Sequence, residues 1–174
     1  MPTTLPMPIE FRLPEGWPPA RPEGFDAADV AFAAVHPQSD AGSAADLAID
    51  GEVPPDAATL ADLADESVAL LREVAESVVA DRRREVGSTD APALTQRLTF
   101  STVVDGARCD LVQSQVYLSL SDAEDPHKRA AIRLALTATA AQHDAVLGDF
   151  QDFVRTVRPD TGAGAWQWGA FGTN

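Results

Sequence analysis

The stretch from Leu94 to Leu120, LTQRLTFSTVVDGARCDLVQSQVYLSL, constrains this chain more than any other. It reads as two long strands joined at Asp105-Gly106. Asp-Gly accepts the positive backbone angles of a two-residue type I′ turn, and β-branched and apolar runs flank it. The turn fixes a register. Val104 lies beside Ala107, so Phe100 faces Leu111, Leu98 faces Gln113 and Leu94 faces Tyr117. A hairpin alone is marginal in water, so more strands and covering helices have to complete it.

The rest of the chain supplies both. Ile9 to Leu13 alternates apolar and charged residues, as a half-buried strand does. Pro14-Glu15-Gly16 turns it, and Trp17 is expected to anchor the following loop on the core. Val30 to Val35 and Ala45 to Val53 read as the second and third strands. Pro54-Pro55-Asp56 then stops the chain and starts a helix over 56–75, with Asp56 as its cap. Ser77 to Val86 reads as a strand carrying Arg82-Arg83-Arg84. After the hairpin and an acidic loop comes Arg129 to Thr139, where Ile132, Leu134 and Leu136 share one face. A second helix over 140–158 carries an apolar stripe through Val146, Phe150, Phe153 and Val157. Arg155 and Arg158 suit its last turn, and Pro159 ends it.

This order predicts an α+β domain over 1–160, followed by a glycine-rich, aromatic tail over 161–174. Its sheet is mainly antiparallel and twisted, with about seven strands, and two main helices pack on it. The expected core includes Phe11, Leu71, Leu98, Phe100, Leu111, Leu134, Phe150 and Phe153.

Charge and composition narrow the function. The 174 residues carry a formal net charge of −14. Such a field repels nucleic acid and anionic membrane surfaces and favours at most a basic partner. Cys109 is the one cysteine, so no intrachain disulfide forms. The N-terminus lacks the basic start and apolar run of a secretory signal, and no stretch reaches the roughly 18 apolar residues a membrane span needs. The expected location is the cytoplasm.

No catalytic residue, metal site or cofactor is predicted. His36, His127 and His143 have no partner at metal-ligand spacing, and Cys109 reads as a buried, inert thiol. There is no G-x-S-x-G, no G-x-G-x-x-G and no phosphate loop. Arg82, Arg83 and Arg84 read either as a site for an acidic ligand or as guards of a sheet edge. Gln96, Gln113, Gln115 and Tyr117 fall on one hairpin face. They either line a polar cleft or mark where the sheet leaves its covering helix. In the tail, Trp166 and Trp168 lie on one side of an extended segment, with Phe171 beyond. This trio either folds back over its own domain or forms an arm that docks on another chain.

The phrase FRLPEGW near the start, the helix after PPDAATL, the long hairpin and the terminal LGDFQDFVRTVRP together resemble the PsbP-like fold. That fold is shared by photosystem oxygen-evolving subunits, Ran-binding Mog proteins, DcrB-type proteins and LpqN-type lipoproteins. The resemblance covers roughly residues 7–159. It implies a non-enzymatic adaptor, chaperone or assembly factor, whose partner is an unknown protein or a second copy in a homodimer. A small-molecule-binding protein or enzyme with an unrecognised pocket, and a homo-oligomeric structural subunit, are the alternatives. The chain is expected to depart from the lipoprotein branch, because its N-terminal stretch does not read as a signal peptide with a lipobox cysteine. No family binding residue matches position by position.

Overall fold

The structure, a computed structural model, describes residues 9–20, 32–40, 43–54, 58–87, 92–104, 106–121 and 129–159. In chain order the elements are β1 (Ile9–Glu10), β2 (Pro19–Ala20), β3 (Phe32–Asp40), β4 (Ser43–Glu52), α1 (Leu60–Val74), β5 (Glu76–Gly87), β6 (Pro92–Val104), β7 (Ala107–Ser121), β8 (Arg129–Thr139), α2 (Ala140–Thr156) and β9 (Arg158–Pro159).

Seven strands form one antiparallel sheet in the order β2-β3-β4-β8-β7-β6-β5. The hairpin sits in it with the register its turn dictates: Val104 opposite Ala107, Phe100 opposite Leu111, Leu98 opposite Gln113 and Leu94 opposite Tyr117. Gly106 takes the positive φ, 79°, that this turn requires. The sheet's centre is β8. Only Arg129, Arg133 and Thr137 along it escape full burial, as befits a strand covered on both faces.

The two helices cover opposite faces. Side chains alternate along a strand, so neighbours on β7 report the two sides. Val116 packs with Leu47, Ile49, Ile132, Leu134 and Leu136 against Val146, Phe150 and Phe153 of α2. Tyr117 and Leu94 pack against Leu63 and Ala64 of α1, and Leu98, Phe100 and Leu111 meet Val68. Trp17 is buried on the α2 side, where its indole N–H donates to Asp149 Oδ2 at 3.1 Å and its ring meets the edge of His36.

Several boundaries differ from the sequence expectation. Helix α1 begins at Leu60 because Thr59 caps it. Thr59 Oγ1 accepts the Asp62 N–H at 3.1 Å, and Asp62 Oδ2 accepts the Thr59 N–H at 2.9 Å, a reciprocal capping box. Asp56 lies outside the described residues. Helix α2 stops at Thr156, and Arg158 belongs to β9, which pairs with β1 in a two-stranded ribbon apart from the main sheet. The segment expected as the first sheet strand is therefore tied to the chain's far end. The short β2 takes the outer place beside β3 instead.

The other outer strand, β5, carries two bulges against β6. Residues 77 and 78 share the place opposite Phe100, and residues 82 and 83 share the place opposite Gln96. The first residue of each pair is left-handed without being glycine: Ser77 has φ 56° and Arg82 φ 53°. Each bulge thereby aims its second residue, Val78 or Arg83, under α1.

Candidate functional site

Antiparallel register places the residues of the α1-covered face in rows across the sheet. One row runs Ala33, Ala48, Ala135, Gln115, Gln96. A row to one side runs Val35, Asp46, Thr137, Gln113, Leu98, and a row to the other runs Asp50, Arg133, Tyr117, Leu94. Three alanines, Ala33 and Ala135 buried and Ala48 half-buried, thus separate the rows of two carboxylates and make a lane that ends against the glutamines.

Gln96, Gln113, Gln115 and Tyr117 form one hydrogen-bonded cluster. The Gln96 amide donates to Gln115 Oε1 at 2.6 Å and to the Ala64 carbonyl at 3.3 Å. Its oxygen accepts from Arg83 Nε and Nη2, at 3.1 and 2.8 Å. The Gln115 amide donates to Ser67 Oγ at 3.0 Å and to Gln113 Oε1 at 2.6 Å, while its oxygen also accepts from the Tyr117 hydroxyl at 3.1 Å. Every hydrogen-bonding valence of both amides is used, which is what burial demands of them. Gln96, Gln115 and Tyr117 are buried and Gln113 half-buried. The cluster therefore lies beneath α1 and not at the point where the sheet leaves its helix. Burial raises the Tyr117 pKa, so the phenol stays protonated and keeps donating.

Arg133 extends the cluster. Its Nη1 donates to Ser67 Oγ at 3.0 Å and its Nη2 is paired with Asp50. At the other end Arg83 Nη1 meets Asp65 Oδ1 at 2.7 Å. The arginine run thus splits. Arg83 turns its guanidinium into the network through its bulge, whereas no such bond draws in Arg82 or Arg84, and all three residues are exposed on the sheet's outermost strand.

Asp46 differs from all of these. It lies between Val35 and Thr137, half-buried, with no hydrogen-bond or ionic partner among the described residues. Thr137 Oγ1 is itself engaged by Gln113 Nε2 at 2.8 Å. Desolvation raises the Asp46 pKa to about 7. The carboxyl therefore changes charge near neutrality.

On the opposite face, His143 of α2 is buried, and its Nε2 lies 2.8 Å from Ser114 Oγ of β7. Asp144 Oδ1 is 3.8 Å from Nδ1, beyond hydrogen-bonding reach, and is itself exposed. With Ser114 buried in mid-strand, this pair fastens helix to sheet. Cys109 is buried beside Leu98, Phe100 and Leu111. Among the described residues no three His, Cys, Asp or Glu side chains converge on a metal-sized site, and no helix is long and apolar enough to cross a membrane. Trp166, Trp168 and Phe171 lie outside the described residues.

Sequence reasoning grouped the glutamines but missed Asp46, Arg133, Asp50, Ser67 and the Ser114–His143 pair. Asp46 and Asp50 alternate with Leu47 and Ile49, a pattern that reads as a solvated strand face. Their burial depends on the position of β4 beside β8, which no local pattern encodes.

No family model and no curated protein matches the sequence. Solved structures do match. LpqN of Mycobacterium tuberculosis, described as involved in cell envelope biogenesis, superposes with a TM-score of 0.60 at 11% identity, over 87% of this chain and 83% of its own. PA94 of Pseudomonas aeruginosa, a protein of unknown function described as a putative regulator, gives 0.55 at 16% identity, over 83% and 97%. The cyanobacterial PsbP of Synechocystis gives 0.56 at 15% identity, over 87% and 86%. At such identities the likeness speaks for architecture alone, and it agrees with the α+β sheet and two helices described above: this chain has the PsbP-like fold.

Proposed function

We propose that this protein is a binding protein, an adaptor, chaperone or assembly factor, that performs no chemistry of its own and receives a basic group of its partner at Asp46. The observation that carries the reading is the contrast on the α1 face. Gln96 and Gln115 have every valence filled, whereas Asp46 in the neighbouring row has no partner among the described residues. A lysine or arginine side chain entering past the half-buried Ala48 would reach Asp46 with its charge. The net charge of −14 steers basic segments toward the molecule from a distance. The description of PA94 as a putative regulator, and of LpqN as involved in envelope biogenesis, is compatible with a role exerted through partners.

Affinity capture from the native cell, with mass spectrometry of what is retained, tests the reading. Calorimetric titration with the retained protein's basic segment should then show binding that strengthens as pH rises through about 7 and is lost in Asp46→Asn. Stoichiometric recovery of a metabolite, with no protein retained, would reject the adaptor in favour of a small-molecule carrier or enzyme.

A further inference from the structure

The outermost strand β5 has a pattern that matches itself. On the α2 side of the sheet, helix α2 rests on β8, β7 and β4, and β5 and β6 lie beyond it. Nearly all of β5 is exposed there, Val79 by 54% and Val86 by 44%. Val79, Asp81, Arg84 and Val86 pair with Thr99, Arg97, Thr95 and Ala93 of β6, so all four point to this uncovered face. They sit symmetrically about the bulge at Arg82-Arg83. In a regular strand, residues 81 and 84 would point to opposite faces. The extra residue of the bulge brings them to the same one.

We propose that β5 pairs antiparallel with β5 of a second copy of this chain, about a two-fold axis between Arg82 and Arg83, to make one continuous sheet across a homodimer. Under that axis Val79 faces Val86 of the partner subunit, and Asp81 faces Arg84 of the partner subunit. Symmetry repeats both contacts, giving two apolar pairs and two ion pairs on one face. Ala80 and Glu85, which share the α1 face, also meet each other, so no residue has to change sides. A two-fold interface requires this self-complementarity, and chance seldom supplies it in both charge and hydropathy. Edge charges and bulges ordinarily discourage sheet extension. Here the bulge lies on the axis, and the charges flanking it are of opposite sign. Arg83 is already neutralised by Asp65 of its own chain, so Arg82 is the single group that opposes the pairing. Eight residues from each copy make a small interface, so the dimer forms by concentration and is not obligate. This inference stands apart from the reading of Asp46, which lies on the other face and several strands away.

Sedimentation velocity of the full chain over a concentration series provides the test. The wild type should pass from monomer to dimer. Asp81→Arg alone, or Arg84→Asp alone, sets like charges opposite each other twice, and should raise the dissociation constant about tenfold or more. The double variant Asp81→Arg/Arg84→Asp recreates two opposite pairs and should restore the dimer. Circular dichroism of each variant separates loss of pairing from loss of folding, since Asp81 also faces Arg97 within its own chain. Val79→Thr/Val86→Thr, which leaves every charge in place, should weaken the dimer as well. A wild type monomeric at every concentration, a dimer indifferent to both charge reversals, or a folded double variant that stays monomeric would each overturn the proposal.

Discussion

Ser114 Oγ and His143 Nε2, 2.8 Å apart and both buried, fasten the middle of β7 to the start of α2. Burial, seconded by the positive charge of Arg97, lowers the His143 pKa, and the nearby Asp144 offsets this only in part. The folded imidazole is therefore neutral near pH 7. A histidine held below its ordinary pKa gives stability that is complete above about 6.5 and drains away as pH falls toward the folded value.

Replacing Ser114 by alanine removes the partner of a buried ring nitrogen. The expected loss is about 1–3 kcal/mol, read as a lower denaturant midpoint with an unchanged slope. A midpoint equal to wild type would show that the contact contributes nothing.

Asp46 sets the opposite limb. Its folded pKa, about 7, exceeds the ordinary 3.8, so ionising it costs stability progressively as pH rises through that window. The full cost is on the order of 4 kcal/mol at most. Asp46→Asn should therefore melt above wild type at about pH 8, and the gap should narrow toward about pH 5 and close only near the ordinary value of 3.8. A gap that is the same at both values would mean that Asp46 titrates normally.

The left-handed backbone at Arg82 and Ser77 predicts a gain from glycine. An L-residue in that region costs roughly 1–2 kcal/mol, and glycine's extra freedom in the unfolded chain returns part of it. Arg82→Gly and Ser77→Gly should each stabilise the monomer by about 0.5–1 kcal/mol in chemical denaturation. Destabilisation would show that the side chain at that bulge contributes more than its backbone strain costs.

Gln115 and Arg83 should differ sharply in weight. Gln115→Leu strips partners from Gln96, Gln113, Ser67 and Tyr117 at once, and should cost about 3 kcal/mol or more. Arg83→Met loses an ion pair whose Asp65 end is 67% exposed, together with two bonds to Gln96. The ion pair itself is worth no more than about 1 kcal/mol, because water screens it. Equal losses in the two variants would contradict the view that the glutamine is the hub.

The hairpin was legible because its information is local. Asp105-Gly106 sets the turn, the turn sets the register, and the register places Gln96 beside Gln115. The α1 cap was misplaced: the prolines pointed to Asp56, although Thr59 and Asp62 have the spacing of a capping box. The interior position of β8 was not legible. Hairpin logic pairs neighbours in sequence, whereas β4 reaches β8 across α1 and three strands. Everything that depends on that long-range pairing stayed hidden with it: the Asp50–Arg133 pair, the setting of Asp46 and the alanine lane. The bulges in β5 were hidden for a different reason. Neither Ser77 nor Arg82 is a glycine, so the usual signal for a left-handed residue is missing.

The interior place of β8 also bears on how the chain is born. The strands on its two sides, β4 and β7, are synthesised before it, and each leaves the ribosome with one neighbour still missing. Until Arg129–Thr139 emerges, the nascent protein consists of a β3–β4 ribbon and a β5–β7 meander under α1, each with an open inner border. Leu47 and Ile49 stand on one border and Val116 and Leu118 on the other, apolar and awaiting a shared partner. Insertion of β8 closes both at once, and because it runs directly into α2, the same event brings down the helix that seals them. A polypeptide interrupted anywhere before that strand carries two adhesive borders, which makes premature termination products of this chain ready substrates for aggregation or chaperone capture.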